Sequence, residues 1–332
     1  MKFYNPQQNN WPLTSSRNQY GFDPNTAIWM AAFAKLAYAP KQVIAKLLGK
    51  FHFYEVHFFD FVGSMGYLAV HKGTEYFRNE PFAVLAFRGT RGDFGDIGVD
   101  LEFLPRIVPD DTHDSFRAHG GFVRSLLNIW GTNLNWRNPA NINQAWPGAH
   151  GVSNSLASID PKIKVYFTGH SLGGALATLA MYKSFRENAE LYTYGSPRVV
   201  NKGLSNDMAN KYPDRIFRFV NGLDPVPCVP IPFFFFRHVG QCLYLYNPTI
   251  ELKPSFSRRL FEAVLTLWLM FEIWPMGKLH NLFPFLPLAI LSAVSALKYH
   301  RIDRYIEMIR RVLFPELKAI DTDYYEELGD AD

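Results

Sequence analysis

Short continuous apolar runs alternate along the chain with segments whose apolar residues recur at helical spacing. Helical spacing marks residues 26–48, behind start signals at Pro24 and Asn25. Short apolar alternations between residues 51 and 70 predict antiparallel strands. Residues 82–87 are continuously apolar, which is typical of a strand covered on both faces of a sheet.

The second half of the chain continues this alternation. Residues 121–130 have a helical pattern, and residues 191–194 and 216–220 read as buried strands. Strands that alternate with helices imply βαβ units and a mostly parallel sheet, which we assign to one α/β domain over residues 1–332. The Gly-, Asp- and Pro-rich segment 91–118 is predicted to be loop with at most a short helix, and 131–159 a long surface connection.

The most informative segment is a glycine-flanked serine between a predicted strand and a predicted helix. A β-branched and aromatic run ends at Thr168, Gly169-x-Ser171-x-Gly173 follows, and small residues at helical spacing occupy 175–180. This strand–turn–helix context defines a nucleophile elbow. The strained turn needs nearly side-chain-free residues two positions before and after the serine. Ser171 is therefore the predicted nucleophile, and a purely structural glycine turn is the alternative.

A serine nucleophile requires a carboxylate and a histidine, which follow it in that order in α/β-hydrolases. Asp224 comes directly after the predicted strand 216–220, at the end of a parallel strand where functional residues gather. Ser171 and the Arg-Gly-Thr turn at 88–90 fall at such strand ends as well. Asp224 is the predicted acid, although an aspartate that only forms a turn before proline is common.

Three histidines follow Asp224 and are candidates for the base. His238 comes soon after the acid and starts the next predicted strand, and His280 lies between two apolar stretches. His300 precedes a helical pattern, so it occupies a loop-to-helix junction, as expected of a base that a late loop delivers. We favour His300, with His238 as second candidate and a histidine that only starts a surface helix as the alternative.

Composition narrows the possible functions. The 332 residues are 48% hydrophobic and 19% charged, with a formal charge of +4, and they have no basic stripe with interleaved aromatics, which argues against nucleic acid. Of the two cysteines, Cys228 and Cys242, neither has metal-ligand spacing. Two buried free thiols are favoured over a local disulfide. No cofactor or metal is expected, because no His/Cys/Asp/Glu cluster has ligand spacing.

Two strongly apolar stretches, residues 260–274 and 282–297, are shorter than the roughly 20 residues that span a bilayer. We expect them to be helices that lie against the domain or against a lipid surface. The first residues of the chain have no apolar segment typical of a secretory signal. The compartment stays open between cytoplasm, with peripheral membrane association, and secretion after signal removal.

Short motifs along residues 80–310 resemble the class 3 lipases, the family of fungal triacylglycerol lipases and plant phospholipases. They are Phe-Arg-Gly-Thr at 87–90, His-Gly-Gly-Phe at 119–122, Gly-His-Ser-Leu-Gly-Gly at 169–174, Tyr-Gly-Ser-Pro-Arg-Val at 194–199, Asn-Gly-Leu-Asp-Pro-Val-Pro at 221–227 and His-x-x-Asp-x-Tyr at 300–305. The elbow alone is unspecific, but the ordered set is specific. The resemblance implies the α/β-hydrolase fold, with helices flanking a mostly parallel sheet.

The resemblance also implies the roles of five residues. Ser171, Asp224 and His300 would form a catalytic triad, and Thr90 with the backbone N–H of Leu172 would form the oxyanion hole, at a helix N-terminus that favours an anion. The implied activity is that of a lipase that cleaves long-chain acylglycerols through an acyl-enzyme. A phospholipase A1, a galactolipase or another esterase stays open. A non-catalytic scaffold is disfavoured because all five positions are present.

Two segments differ from a compact member of that family, and a further set of residues bears on the substrate. Residues 91–98 have three glycines and two aspartates, so they are poorly suited to form the short lid helix that family members often carry after the oxyanion turn. We therefore expect the apolar helical insertion 251–298 to act as the lid or as a membrane-facing element. The alternative is that it only packs on the core. The substrate-binding candidates are His170, Phe233, Phe234, Phe235 and Phe236. The alternative for the four phenylalanines is a buried strand. The alternative for His170 is a side chain that only fills space behind the elbow. The expected partner is a lipid ester at an oil–water or membrane interface.

Overall fold

An eight-stranded sheet forms the centre of the fold in a computed structural model that describes residues 2–4, 17–74, 79–90, 107–110, 113–131, 151–230, 235–246, 249–273, 296–314 and 325–327. The strands are β1 (Lys2–Tyr4), β2 (Phe53–Phe61), β3 (Ser64–His71), β4 (Phe82–Phe87), β5 (Ile107–Asp110), β6 (His113–His119), β7 (Lys164–His170), β8 (Ala189–Tyr194), β9 (Val200–Asn201), β10 (Ile216–Asn221), β11 (Phe236–Arg237), β12 (Gln241–Tyr246), β13 (Thr249–Glu251) and β14 (Tyr325–Glu327). The helices are α1 (Pro24–Leu36), α2 (Lys41–Lys50), α3 (Gly120–Trp130), α4 (Val152–Ala157), α5 (Leu172–Ser184), α6 (Lys202–Lys211), α7 (Phe256–Ile273) and α8 (Ile302–Leu313).

The strand order of the large sheet is β13-β12-β10-β8-β7-β4-β3-β2. Neighbours from β4 to β12 pair in parallel, whereas β2, β3 and β13 pair antiparallel at the two edges. The prediction of a mostly parallel sheet is therefore confirmed, as are the antiparallel strands before residue 71. Because β7, β8 and β10 are adjacent and parallel, the loops after them lie side by side.

The prediction of loop for residues 91–118 was wrong where the structure describes them. β5 and β6 form an antiparallel pair, and β6 continues to β9 through Ala118 and Val200 in a second sheet. The polar sequence of β6 does not predict a strand, because its backbone pairing with β5 and β9, and not apolar alternation, defines it. Residues 91–106 lie outside the described part.

Helices cover both faces of the large sheet. α1 and α8 pack on one face, in a cluster that contains Trp29, Phe33 and Tyr305, and α3 and α5 pack on the other face. The segment predicted as one helix over 26–48 is two helices, α1 and α2. The residue before a proline is disfavoured in helical conformation, and the break falls before Pro40. Asp23 caps α1 by accepting hydrogen bonds from two backbone amides.

α7 occupies the first part of the predicted insertion 251–298. Its buried side carries Arg258 and Leu265, and its outer side exposes Phe256, Leu260 and Val264. Residues 274–295 lie outside the described part, so the lid or membrane-facing role stays a prediction. Among the helices that the structure describes, none has the length and apolar character to cross a bilayer.

Candidate active site

Ser171 forms the turn between β7 and α5. Its backbone has φ 59° and ψ −131°, a strained conformation for a residue with a side chain that is typical of functional sites. The Ser171 amide donates to the carbonyl of Tyr194 at 3.0 Å, which fixes the turn against β8. The predicted strand–turn–helix context of the elbow is thus present.

The flanking glycines are required by close backbone contacts. A Cβ on Gly169 would lie 2.2 Å from the carbonyl carbon of Gly173. A Cβ on Gly173 would lie 2.2 Å from the carbonyl oxygen of Phe87, at the end of β4. No side chain fits at either position, because the elbow packs directly on itself and on the neighbouring strand end.

Asp224 follows β10 and is fully buried. Its Oδ1 accepts a hydrogen bond from the Val226 amide at 2.9 Å, and its Oδ2 accepts one from the Tyr305 hydroxyl at 2.5 Å. The ring nitrogen Nδ1 of His300 lies 2.9 Å from Oδ2 and 3.1 Å from Oδ1. Both oxygens of the buried carboxylate therefore accept hydrogen bonds from the protein.

Two opposing effects act on the pKa of Asp224. Burial raises it, but the charge of His300 and the hydrogen bonds from His300, Tyr305 and the Val226 amide together lower it below its ordinary value of 3.8. The charge of His300 and the hydrogen bonds together outweigh burial, because each of them favours the charged carboxylate. Asp224 is a carboxylate at neutral pH and can orient the imidazole.

His300 lies between a short 3₁₀ turn, Leu297–Tyr299, and α8. It is only 1% exposed, and its second nitrogen, Nε2, is buried with no hydrogen-bond partner among the described residues. That nitrogen is the atom that can accept a serine proton. The described residues include no hydrogen bond between His300 Nε2 and Ser171 Oγ; such bonds are often long without substrate.

His238, the second candidate for the base, lies elsewhere. Its Nε2 donates to the carbonyl of Pro227 at 2.8 Å. Burial, together with the charges of Arg218 and Arg198, lowers the pKa of His238 well below its ordinary value. Of the histidines after Asp224 within the described residues, His300 is the one that contacts the carboxylate. His280 lies outside these residues.

His170 connects several parts of the site. Its Nε2 donates to the carbonyl of His300 at 2.5 Å, and its Nδ1 accepts from the hydroxyl of Tyr38 at 2.9 Å. The Tyr38 hydroxyl in turn accepts from the backbone amide of Gly89. Burial and the nearby His300 lower the pKa of His170 to about 3, so its ring is neutral at pH 7 and neither nitrogen is left for a substrate.

The predicted oxyanion residues lie beside the nucleophile. A Cβ on Gly89 would lie 3.2 Å from the Cβ of Ser171, so the 88–90 turn passes against the elbow. Thr90 and Leu172 are both half-buried. Leu172 is the first residue of α5, where backbone N–H groups have no partner within the helix.

The structure separates the residues of the predicted phenylalanine wall. Phe235 is 72% exposed, whereas Phe236 is buried in β11 with its ring 5.4 Å from that of His119. Phe233 and Phe234 lie outside the described residues. Phe236 is therefore a core residue of the second sheet, and Phe235 is the described member that solvent or lipid can reach.

Sequence reasoning assigned no role to Tyr305, Arg258 or Tyr38. Tyr305 belongs to the His-x-x-Asp-x-Tyr motif, so its spacing from His300 was a usable signal. Arg258 and Tyr38 contact the site from distant parts of the chain, and no local pattern marks them. The two cysteines are free thiols, with Cys228 buried and Cys242 half-buried.

Comparison with known proteins identifies the fold. Among solved structures, the chain is similar to a fungal lipase in complex with an inhibitor, at 21% identity and a TM-score of 0.51, covering 67% of this chain and 79% of that one. The fold is the α/β-hydrolase fold. Residues 84–234 match the model of the class 3 lipase family, and the chain is homologous to the lipases of this family, as its motifs predicted.

The relatives are plant and fungal enzymes. The chain is 29% identical over 293 residues to the triacylglycerol lipase OBL1 of Ricinus communis, covering 73% of this chain and 54% of that protein. It is 34% identical over 106 residues to secreted mono- and diacylglycerol lipase 1 of Fusarium solani, covering 31% of this chain and 32% of that protein. The chain spans about half the length of the first of these relatives and a third of the second.

Proposed function

We propose that this chain is a serine ester hydrolase of the lipase type, which cleaves acylglycerols through a covalent acyl-enzyme. The observation that carries the proposal is the hydrogen bond from His300 to the buried carboxylate of Asp224, next to a strained serine elbow. A buried carboxylate orients an imidazole so that its other nitrogen can take a proton. In His300 that other nitrogen is free of partners among the described residues.

Acylation follows from these roles. Nε2 of His300 accepts the proton of Ser171 Oγ while Oγ forms a bond to the ester carbonyl carbon. The carbonyl oxygen becomes an oxyanion, which accepts hydrogen bonds from backbone amides of Thr90 and Leu172. The proton on His300 then passes to the alkoxy oxygen, the C–O bond breaks, and the alcohol leaves. Loss of one such oxyanion donor typically costs about 3 kcal/mol of activation free energy.

Deacylation repeats these steps with water. His300 takes a proton from the water, the hydroxide adds to the acyl carbon, and the same amides hold the oxyanion. The proton returns to Ser171 Oγ as the acid is released. Asp224 stays charged throughout, which its lowered pKa supports, and stabilises the imidazolium in both half-reactions.

The substrate assignment depends on the relatives and on exposed apolar surface. Both relatives are named for acylglycerols. Phe256, Leu260 and Val264 recur every four residues along α7 and are all exposed, which forms an apolar stripe on one helix face. We propose that this stripe contacts the surface of aggregated lipid and that the enzyme is more active on emulsions than on dissolved esters.

The test combines active-site labelling with a substrate panel. A fluorophosphonate should label Ser171, and Ser171→Ala should abolish both labelling and hydrolysis while the protein stays folded by circular dichroism. His300→Asn should remove activity, whereas the matched variant His238→Asn should keep it. Rates on triacylglycerol, diacylglycerol, phosphatidylcholine and galactolipid emulsions then define the substrate class.

Three results would contradict the proposal. Hydrolysis by folded Ser171→Ala would remove the serine mechanism. Activity that survives in His300→Asn and is lost in His238→Asn would show that His238, and not His300, is the catalytic base. A preference for phospholipid or galactolipid over acylglycerol would leave the mechanism intact and replace the substrate class.

A further inference from the structure

We propose that Arg258, in the first turn of α7, is a positioning residue for the acid Asp224, an inference that rests on the proposed function. Its Nη1 donates to the backbone carbonyl of Asp224 at 2.5 Å and to that of Gly222 at 3.2 Å. Its Nη2 contacts the Sγ of Cys228 at 3.1 Å. One planar group thus holds the loop before, at and after the acid.

The contact between Arg258 and the acid loop lies in the protein interior. The side chain is 2% exposed, although arginine is among the residues least often buried. Burial disfavours its charge, but Cys228, Asp224 and Glu262 outweigh that effect and raise the pKa of Arg258 above its ordinary value. The group is therefore a permanent cation beside the carboxylate. Burying a cation is costly without partners, and the partners here are the backbone of the acid loop.

The consequence for the triad is geometric. The side chain of Asp224 is fixed by Tyr305, His300 and Val226, but its backbone carbonyl is fixed by Arg258. A displacement of about 1 Å in a catalytic group can cost on the order of 100-fold in rate. Arg258 prevents such a displacement of the loop.

A second contact attaches α7 to the same loop and supplies a matched control. Glu262, one turn further along α7, forms an ion pair with Arg198, and Arg198 donates to the carbonyls of Cys228 and Pro230. This pair touches the loop after Asp224 but not Asp224 itself. Breaking it with Glu262→Gln loosens α7 and removes one of the charges that favour the Arg258 cation, but leaves the hydrogen bond from Arg258 to the acid in place.

The experiment compares four variants on a dissolved ester, p-nitrophenyl butyrate. Arg258→Met removes the guanidinium but keeps an extended side chain, and Arg258→Lys keeps the charge without the planar donors. Glu262→Gln loosens α7, and Arg259→Met alters the exposed neighbouring arginine. We expect Arg258→Met to lower kcat about 10- to 100-fold with KM nearly unchanged, and Arg258→Lys to be intermediate.

The controls and a spectroscopic signature separate positioning from general stability. Glu262→Gln should lower the Tm and leave kcat close to that of the unaltered protein, and Arg259→Met should change neither. The far-downfield proton resonance of the His300–Asp224 hydrogen bond should shift or broaden in Arg258→Met and persist in both controls. If Arg258→Met does not fold, kcat and the resonance of Arg258→Lys are compared with those of the two controls instead.

Two outcomes would overturn the inference. One is a folded Arg258→Met variant in which both kcat and the downfield resonance are the same as in the unaltered protein. The other is an equal loss of kcat in Glu262→Gln, which would assign the effect to docking of α7 as a whole. An unaltered protein that shows the resonance and hydrolyses no ester would instead refute the proposed function, and the NMR comparison would still test Arg258.

Discussion

The hydroxyl of Tyr305 donates a hydrogen bond of 2.5 Å to Oδ2 of Asp224, the same oxygen that lies 2.9 Å from His300 Nδ1. Tyr305 lies in the first turn of α8, and His300 lies two positions before the first residue of that helix. One helix start therefore supplies two of the donors that hold the carboxylate. A change at Tyr305 should act on Asp224 first and on the base only through it.

Tyr305→Phe should lower both activity and stability. The hydroxyl donates to Asp224 and accepts from the Asn221 amide at 3.1 Å, so its loss leaves two buried groups short of a partner. Hydrogen bonds to charged groups contribute about 1.5–3 kcal/mol. We expect kcat/KM to fall on the order of 10-fold and the free energy of unfolding to fall by about 2 kcal/mol, as measured by kinetics and urea titration.

Tyr212→Phe is the matched control, because Tyr212 is also buried and its hydroxyl makes one long hydrogen bond, 3.4 Å to the Met181 carbonyl. It should leave kcat/KM unchanged. Equal kinetic effects of the two variants would show that Tyr305 has no special relation to the acid.

Gly195→Ala should remove activity. Gly195 has φ 61°, and a Cβ there would lie 2.7 Å from Asp224 Oδ2 and 3.0 Å from His300 Nδ1. The methyl group would separate acid and base, so we expect kcat to fall by about 100-fold or more. Gly21→Ala places alanine at φ 81° with open space around it; it should lose stability only. Full activity in Gly195→Ala would contradict the site geometry.

His170 should make stability depend on pH. Its pKa is about 3 in the folded protein and 6.5 ordinarily, so between these values the unfolded chain binds a proton that the folded protein does not. Stability from this group is complete above pH 6.5 and falls as pH decreases toward 3, by up to about 1.4 kcal/mol per pH unit. His170→Asn should have a shallower slope in urea titrations from pH 7 to 4.5. Parallel slopes would show that His170 does not titrate on unfolding.

Cys228 should be unreactive in the folded protein. Burial raises the pKa of its thiol to about 12, against an opposing effect of Arg258, and the thiolate is the reactive form. With a disulfide reagent at pH 8, only the half-buried Cys242 should react before unfolding. A Cys242→Ser variant should therefore show no fast phase. Rapid modification in that variant would mean that the acid loop opens in solution.

The exposed stripe on α7 should matter for emulsions alone. Replacing Leu260 and Val264 by glutamine removes apolar surface that a lipid interface would cover. We expect a several-fold lower rate on triolein emulsion and an unchanged rate on dissolved p-nitrophenyl butyrate. Tyr54→Gln, an equally exposed position on β2, should change neither rate. A loss on both substrates would place the stripe inside the working site.

Local patterns determined the elbow and the order of the acid and base candidates. The glycines at 169 and 173, the strand before Asp224 and the junction at His300 are each readable within a few residues, because a turn, a strand end or a helix start depends on its immediate neighbours. For the same reason the apolar strands were predicted well. β6 was not, because its polar residues have no apolar alternation and become a strand by pairing with β5 and, through Ala118, with Val200 more than 80 positions later.

Only the tertiary structure decided how the site is held. Arg258 reaches the carbonyl of Asp224 across 34 positions, and His170 joins Tyr38 across 132 positions and His300 across 130. No periodicity along the chain records such contacts, because hydrogen bonds between distant elements depend on how those elements pack. The sequence thus determined which groups could perform the chemistry, and packing decided which of them meet.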